Sequence, residues 1–298
     1  MDKLQEAGCL FLYFTGGEPL MRKDLPEIYL YAKKKGFLIS LFTNGTLITK
    51  EWVDLLKKYP PFSIEITLHS IQEKTFDRIT QREGSFQKVM EAIHLLYQYK
   101  IPLILKTVGL TLNREEILET KRFIRNMKGV YYKFDSLIIP RLDGNTAPLN
   151  FRLTPEEIVE IETSDEEFRT QIRKVINGGT GLPAPYQELL YPCYNRNGEF
   201  LIDPAGRLQY CLVERSFNIN LLERDWESLW EKKVSSLHAQ KLPPTSPCYA
   251  CNLRRLCPQC PGRNRLLGKD IYTPIQYYCA LARERFINRE KYLEEANV

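Results

Sequence analysis

The first 192 residues of this 298-residue chain hold a single cysteine, Cys9, although the chain has eight. No apolar run is long enough to cross a bilayer: Leu10 to Phe14 covers five residues, against the roughly twenty a membrane helix needs. That run also lacks the basic flank and small-residue cleavage site of a secretory signal. There is no dense block of basic residues, and a net charge of +5 is mild, so nothing points to nucleic acid. These absences lead to the expectation of a cytoplasmic protein with neither membrane nor nucleic-acid partner. The composition, 43% hydrophobic and 27% charged, is that of an ordinary globular chain. The length allows one large domain, or one domain with a smaller module.

Residues 1–150 alternate short apolar runs with amphipathic stretches. Leu10–Phe14, Phe37–Phe42, Phe62–Leu68, Leu103–Leu110 and Tyr131–Ile139 read as buried strands. Helix signals lie between them. Asp24 and Pro26 open one helix and Gly36 closes it. Thr49 caps the next, which stops before Pro60, and Ser85 starts another. Asn113 with Glu116 resembles a capping box, with Gly129 ending that helix, and Thr154, Pro155 and Glu157 form a full one. Five strands separated by helices give repeated β/α units and a parallel sheet, open or as a partial barrel, with chemistry at the C-terminal strand ends. Met1 to Ala7 reads as the tail of a helix, so the pattern is expected to begin midway. Gly178, Gly179, Gly181, Pro183 and Pro185 mark a linker. A hairpin then turns at Asp203–Gly206, between Phe200–Ile202 and Leu208–Tyr210. A charged helix from about Leu281 closes the chain.

Seven of the eight cysteines lie between Cys193 and Cys279. In a reducing compartment such crowding points to metal rather than disulfides, and an odd number fits closed pairing poorly. The spacing is Cys193-x12-Gly206-x4-Cys211, then Cys248-x2-Cys251-x5-Cys257-x2-Cys260, then Cys279. Iron–sulfur clusters, a zinc site and structural thiols all remain open on spacing alone. Against zinc stands the five-residue gap between the two knuckles, where a ribbon has about 15–20. The second signal is Thr15-Gly16-Gly17-Glu18-Pro19 at the end of the first strand. Its glycines allow a sharp turn and close ligand approach, and its carboxylate can accept from an ammonium group. Alone, such a turn is often no more than a turn.

Together the two signals resemble the radical S-adenosylmethionine enzymes with a C-terminal SPASM domain. Thr43-Asn44-Gly45-Thr46, Thr67-Leu68-His69-Ser70, Phe76-Asp77-Arg78 and Gly84-Ser85-Phe86 also match that family. The cysteine pattern departs from it once, with two residues rather than three between Cys257 and Cys260. The resemblance implies a partial (β/α)6 TIM-like barrel, here missing its first strand, followed by a cysteine-rich SPASM domain. It divides the chain into a barrel at 1–175, a linker at 176–190, the auxiliary cluster domain at 191–285 and a tail at 286–298.

The implied activity is an oxidoreductase that modifies a peptide or protein through a 5′-deoxyadenosyl radical. It would use S-adenosyl-L-methionine, two auxiliary 4Fe-4S clusters and a low-potential electron donor such as ferredoxin or flavodoxin. The resemblance assigns Gly16, Gly17, Glu18, Pro19, Thr43, Asn44 and Thr67 to the S-adenosylmethionine site. Lys106, a lysine inside an apolar strand, needs a partner, and either a cofactor carboxylate or a glutamate would serve. His69 can face the cofactor, with Thr67 the ribose contact. The family implies that Cys248, Cys251, Cys257 and Cys279 hold an outer cluster and Cys193, Cys211 and Cys260 an inner one. Pro185 to Pro192 supply no fourth cysteine for the inner cluster. The family's C-x3-C-x2-C loop for the cofactor-cleaving cluster has no counterpart here, so the chain as it stands is expected to be a truncated form unable to perform the radical reaction. The alternatives are a non-catalytic cluster-bearing electron-transfer or binding protein, and a zinc-stabilised interaction protein. Cys9 reads as a buried strand residue, His238 as a solvated side chain, and Trp226 with Trp230 as helix packing.

Overall fold

The computed structural model describes residues 1–179, 188–191, 193 and 198–294. Of the expected linker, residues 180–187 lie outside the described residues. The chain divides into two compact units, Met1–Leu137 and Ile138–Val298.

The first unit opens with α1 (Asp2–Glu6) and β1 (Phe11–Phe14). There follow α2 (Leu25–Lys34), β2 (Leu38–Thr43), α3 (Lys50–Lys58), β3 (Ser63–Thr67), α4 (Glu73–Thr80), α5 (Ser85–Gln98), β4 (Leu103–Val108), α6 (Ile117–Arg125) and β5 (Tyr131–Asp135). All neighbouring strands are parallel, in the order β1-β2-β3-β4-β5. A doubly wound sheet reverses its order at a switch point. This one never does, which is the winding of a partial barrel. Right-handed crossovers then put every connecting helix against the same face.

The register separates the two faces of the sheet. One carries Ile39, Leu41, Ile64, Ile66, Leu103 and Leu105, all buried beneath the helices. The other carries Phe11, Tyr13, Phe42, Glu65, Thr67, Ile104, Lys106, Lys133 and Asp135. The expectation of strands buried on both faces is corrected here. Tyr13 is 53% and Tyr131 73% exposed, both at edge strands on this second face. Cys9 is likewise not a buried strand residue: it precedes β1, partly exposed.

Most helix signals are realised. Thr49 accepts from Trp52 N–H, and Gly36 has φ +87° just beyond α2. Ser85 starts α5 as expected, with Gly84 at the cap position. One reading is corrected: Asn113 makes no capping box. Its Oδ1 accepts from Leu110 N–H at 2.8 Å, and its Nδ2 donates to the His69 and Val108 carbonyls. Glu116 instead accepts from Ser70 and from Thr75. An amide with long-range partners has no reason to bind its own helix.

The second unit contains α7 (Pro155–Thr163), α8 (Glu166–Asn177), β6 (Leu201–Ile202), β7 (Arg207–Gln209), β8 (Ile219–Asn220), α9 (Trp226–His238), α10 (Pro261–Leu266), α11 (Gln276–Ile287) and α12 (Arg289–Leu293). Thr154 and Glu157 form the expected capping box. The hairpin closes by Gly206 N–H donating to the Asp203 carbonyl at 2.9 Å, and β8 extends it to three strands. Trp226 and Trp230 are buried under the Phe200 ring. His238 is not a solvated side chain: its Nε2 meets the Tyr210 hydroxyl at 2.9 Å. The closing helix begins at Gln276, so Cys279 is helical. Helices α7 and α8, grouped with the barrel from sequence, pack on α11 and α12 in this unit. Arg285 binds both oxygens of the buried Glu162, which also accepts from Tyr292.

Candidate functional site

The C-terminal ends of the first unit's strands gather one set of candidate residues. Gly16, with φ +142°, follows β1 in a conformation that side chains resist. A Cβ on Gly16 or Gly17 would have no atom within 4 Å, so a ligand can approach this backbone. Glu18 then reaches across to the end of β2. Its Oε1 accepts from Thr43 Oγ1 at 2.7 Å and from Leu20 N–H at 3.1 Å, and its Oε2 accepts from Asn44 N–H at 2.7 Å. Thr43 Oγ1 in turn accepts from Gly45 N–H, and Asn44 Oδ1 accepts from Thr46. These bonds hold the carboxylate in one orientation and leave Oε2 acceptor capacity for an ammonium group. The residues present fit the amino-acid end of S-adenosylmethionine.

Thr67 and Lys106 are register partners on the open face. Lys106 finds its partner in Asp135 of β5, with Nζ 3.0 Å from Oδ2. The expected glutamate is thus an aspartate, and the pair is partly exposed. Continuing the alternation of β3 puts His69 on the same face. Its Nδ1 is buried and has no hydrogen-bond partner. Burial, and then the Lys106 charge, lower its pKa to about 4, so the ring is neutral at physiological pH.

In the second unit, Cys248, Cys251, Cys257 and Cys279 line one cavity of about 190 Å³. Burial pushes the Cys257 thiol up to about 12, and negative charge on Cys279, Cys248 and Cys251 acts in the same direction. Cys248 is also raised, first by burial and then by Cys279. These four thiols therefore form one electrostatic group. No disulfide joins any cysteine. Among the described residues, no three His, Cys, Asp or Glu side chains gather tightly enough for a metal ion. Four soft thiol ligands around one cavity fit a polynuclear cluster, and a zinc ion takes the same ligand type.

Cys193, Cys211 and Cys260 form the other group. Burial raises Cys260, backbone N–H groups of Arg263 and Gly262 oppose it, and Cys193 adds repulsion. Cys211 is raised by burial and, further down, by Cys260, while its Sγ accepts from Glu214 N–H at 3.2 Å. The Tyr210 hydroxyl donates to the Cys193 carbonyl at 3.1 Å, tying that residue to the hairpin end. Three thiols with N–H donors fit the open side of a four-iron cluster.

The sequence reading missed three residues of this architecture. Asp135 ends β5 and holds Lys106. Gly262 lets α10 approach the Val213–Glu214 backbone, since a Cβ there would sit 2.7 Å from the Val213 carbonyl oxygen. The Pro-Gly pair after Cys260 was the available signal. Arg254 lines the outer cavity, and the Arg254-Arg255 pair between cysteines announces nothing in sequence.

Comparison with known proteins bears on both units. Residues 1–124 match the radical SAM superfamily model. Over 94% of its length the chain is 22% identical to an AdoMet-dependent heme synthase of Methanosarcina barkeri, covering 84% of that protein. It is 24% identical over 86% of its length to the subtilosin biosynthesis protein AlbA of Bacillus subtilis, covering 59% of it. It spans 33% and 31% of the length of two further relatives. The solved structure of anSMEcpe with bound AdoMet and a Kp18Cys peptide superposes with a TM-score of 0.69 at 17% identity, covering 95% of this chain and 84% of that one. This likeness shows a shared fold. No helix among the described residues is long and apolar enough to cross a membrane. The glycine turn that offers Glu18 to a ligand lies inside the matched segment, on a sheet wound as these relatives wind theirs, and residues 1–124 of this chain are a radical SAM superfamily domain.

Proposed function

We propose that this chain belongs to a radical S-adenosylmethionine oxidoreductase that modifies a peptide or protein in the cytoplasm. In this reading Cys248, Cys251, Cys257 and Cys279 hold an outer auxiliary 4Fe-4S cluster and Cys193, Cys211 and Cys260 an inner one in a SPASM domain. The observation that carries it is the convergence of the four outer thiols on one cavity, apart from the other three. S-adenosylmethionine, when bound and reduced, supplies a 5′-deoxyadenosyl radical for hydrogen abstraction. This chain's own contribution is positional. Glu18 accepts from the ammonium group, Gly16 and Gly17 let the ligand sit against the backbone, and Thr67 presents a hydroxyl on the open face. Lys106, held by Asp135, places a positive charge where a carboxylate can be received. The electron donor in this reading is a low-potential protein such as ferredoxin or flavodoxin. A peptide substrate is supported by the peptide named in the anSMEcpe structure and by AlbA's role in bacteriocin biosynthesis.

Anaerobic reconstitution should yield a brown protein with about eight iron atoms per chain. Cys257→Ser should remove about four, and Cys211→Ser should remove the other four or open that cluster to loss of one iron. Stoichiometric zinc without absorption in the visible range would overturn the assignment.

A tetrapyrrole substrate is the second reading, favoured by the nearly full-length match to the heme synthase. Titration with an iron porphyrin separates the two. A saturable shift of the porphyrin absorption band favours the tetrapyrrole, and its absence favours the peptide.

A further inference from the structure

The outer cavity is lined by arginine as well as by its four cysteines. Arg254 stands among Cys248, Cys251 and Cys257 around it. Its Nη2 donates to the Leu189 carbonyl at 2.7 Å, which fixes the guanidinium against neutral backbone. Burial disfavours that charge, and it is recovered in part by attraction to these same three sulfurs. Two other arginines reach the group, under different conditions. Arg283 acts on Cys279 but is exposed, so water and salt screen it. Arg285 acts on Cys257 but is bound through two hydrogen bonds to Glu162.

A guanidinium is always charged and is less strongly hydrated than an ammonium, so it tolerates this position. Its field is strongest where water is excluded. One-electron reduction by the external low-potential donor makes a cluster one charge more negative, with no bond broken and no proton required. A fixed positive charge nearby stabilises the reduced form more than the oxidised one. We propose that Arg254 is a positioning residue that sets the reduction potential of the cluster held by Cys248, Cys251, Cys257 and Cys279, raising it so that this cluster accepts electrons from the donor. The proposal rests on reading those four cysteines as cluster ligands.

The test uses the reconstituted full chain and a potentiometric titration followed by electron paramagnetic resonance. Cys248→Ser identifies the outer cluster's signal. If Cys248→Ser loses no iron and changes no signal, the ligand reading fails, independently of Arg254. Given that signal, Arg254→Gln keeps a donor for the Leu189 carbonyl but removes the charge, whereas Arg254→Lys keeps the charge. Arg254→Gln should shift the outer midpoint to lower potential and leave the inner one in place, with Arg254→Lys close to the parent. Loss of outer-cluster iron in Arg254→Gln but not in Arg254→Lys would overturn the proposal, because the charge would then be needed for cluster assembly rather than for its potential. An unshifted midpoint in Arg254→Gln at full iron content would overturn it. So would equal loss of the outer cluster in both variants, which would make Arg254 a structural residue.

Discussion

His69 supplies a stability effect whose sign and size follow from its surroundings. Its imidazole has an ordinary pKa of 6.5 and a folded value of about 4. The unfolded chain therefore takes up a proton in this interval that the folded chain refuses. Stability is complete above pH 6.5, falls as the pH drops toward 4, and levels off below that. A difference of roughly 2.5 pKa units corresponds to about 3 kcal/mol, a large share of a typical domain's stability. His69→Phe removes the titrating atom and keeps a ring against Phe76, which the imidazole already touches at 5.9 Å between centroids. Because Nδ1 has no hydrogen-bond partner, this change should cost little at pH 7. At pH 4 the variant should be more stable than the parent by about 3 kcal/mol. Urea unfolding of the two proteins between pH 4 and 8 reads the difference directly. The chain has only three histidines, so resonance titration of the ring can be assigned from the same variant. Parallel stability curves for the two proteins, or a His69 pKa near 6.5, would refute the reasoning.

Other expectations rest on single contacts. Gly262→Ala should displace α10 from the Val213 carbonyl and lower iron bound by the inner cysteines, leaving the outer set filled; unchanged iron content would argue against the close approach. Glu18→Gln removes a carboxylate held by three donors. Calorimetric titration should show S-adenosylmethionine affinity falling by about tenfold or more, as for loss of a charge-assisted bond. With Cys9 the sole cysteine before Cys193, the chain alone should release no 5′-deoxyadenosine under reducing conditions, as chromatography against a protein-free control would show. Arg285→Met leaves Glu162 buried without its ion partner, a loss of about 3–5 kcal/mol; a change in melting below a few degrees would contradict it.

The chain's own order of residues decided the local features. Short apolar runs between amphipathic stretches marked all five strands, because a brief apolar run bounded by turn signals suits a strand better than a helix. Thr154 with Glu157 announced a capping box, since that bond pattern lies within four consecutive residues. The cysteine spacing and the Gly16-Gly17-Glu18 turn carried the chemistry for the same reason. Tertiary structure decided whatever depends on distant partners. Only strand register shows that Thr67, Lys106 and, by extension, His69 share a face, and that the opposite face is the one fully buried beneath the helices. Asn113 looked like a cap until His69 and Val108 claimed its amide. His238 looked solvated until Tyr210 of a distant hairpin met it. Cys260 lies close to Cys257 in sequence but near Cys193 and Cys211 in space, because a glycine lets two backbones meet. Only folding half-buries Arg254 beside Cys248, Cys251 and Cys257, and the strength of a charge is set by its surroundings and not by its position in the chain.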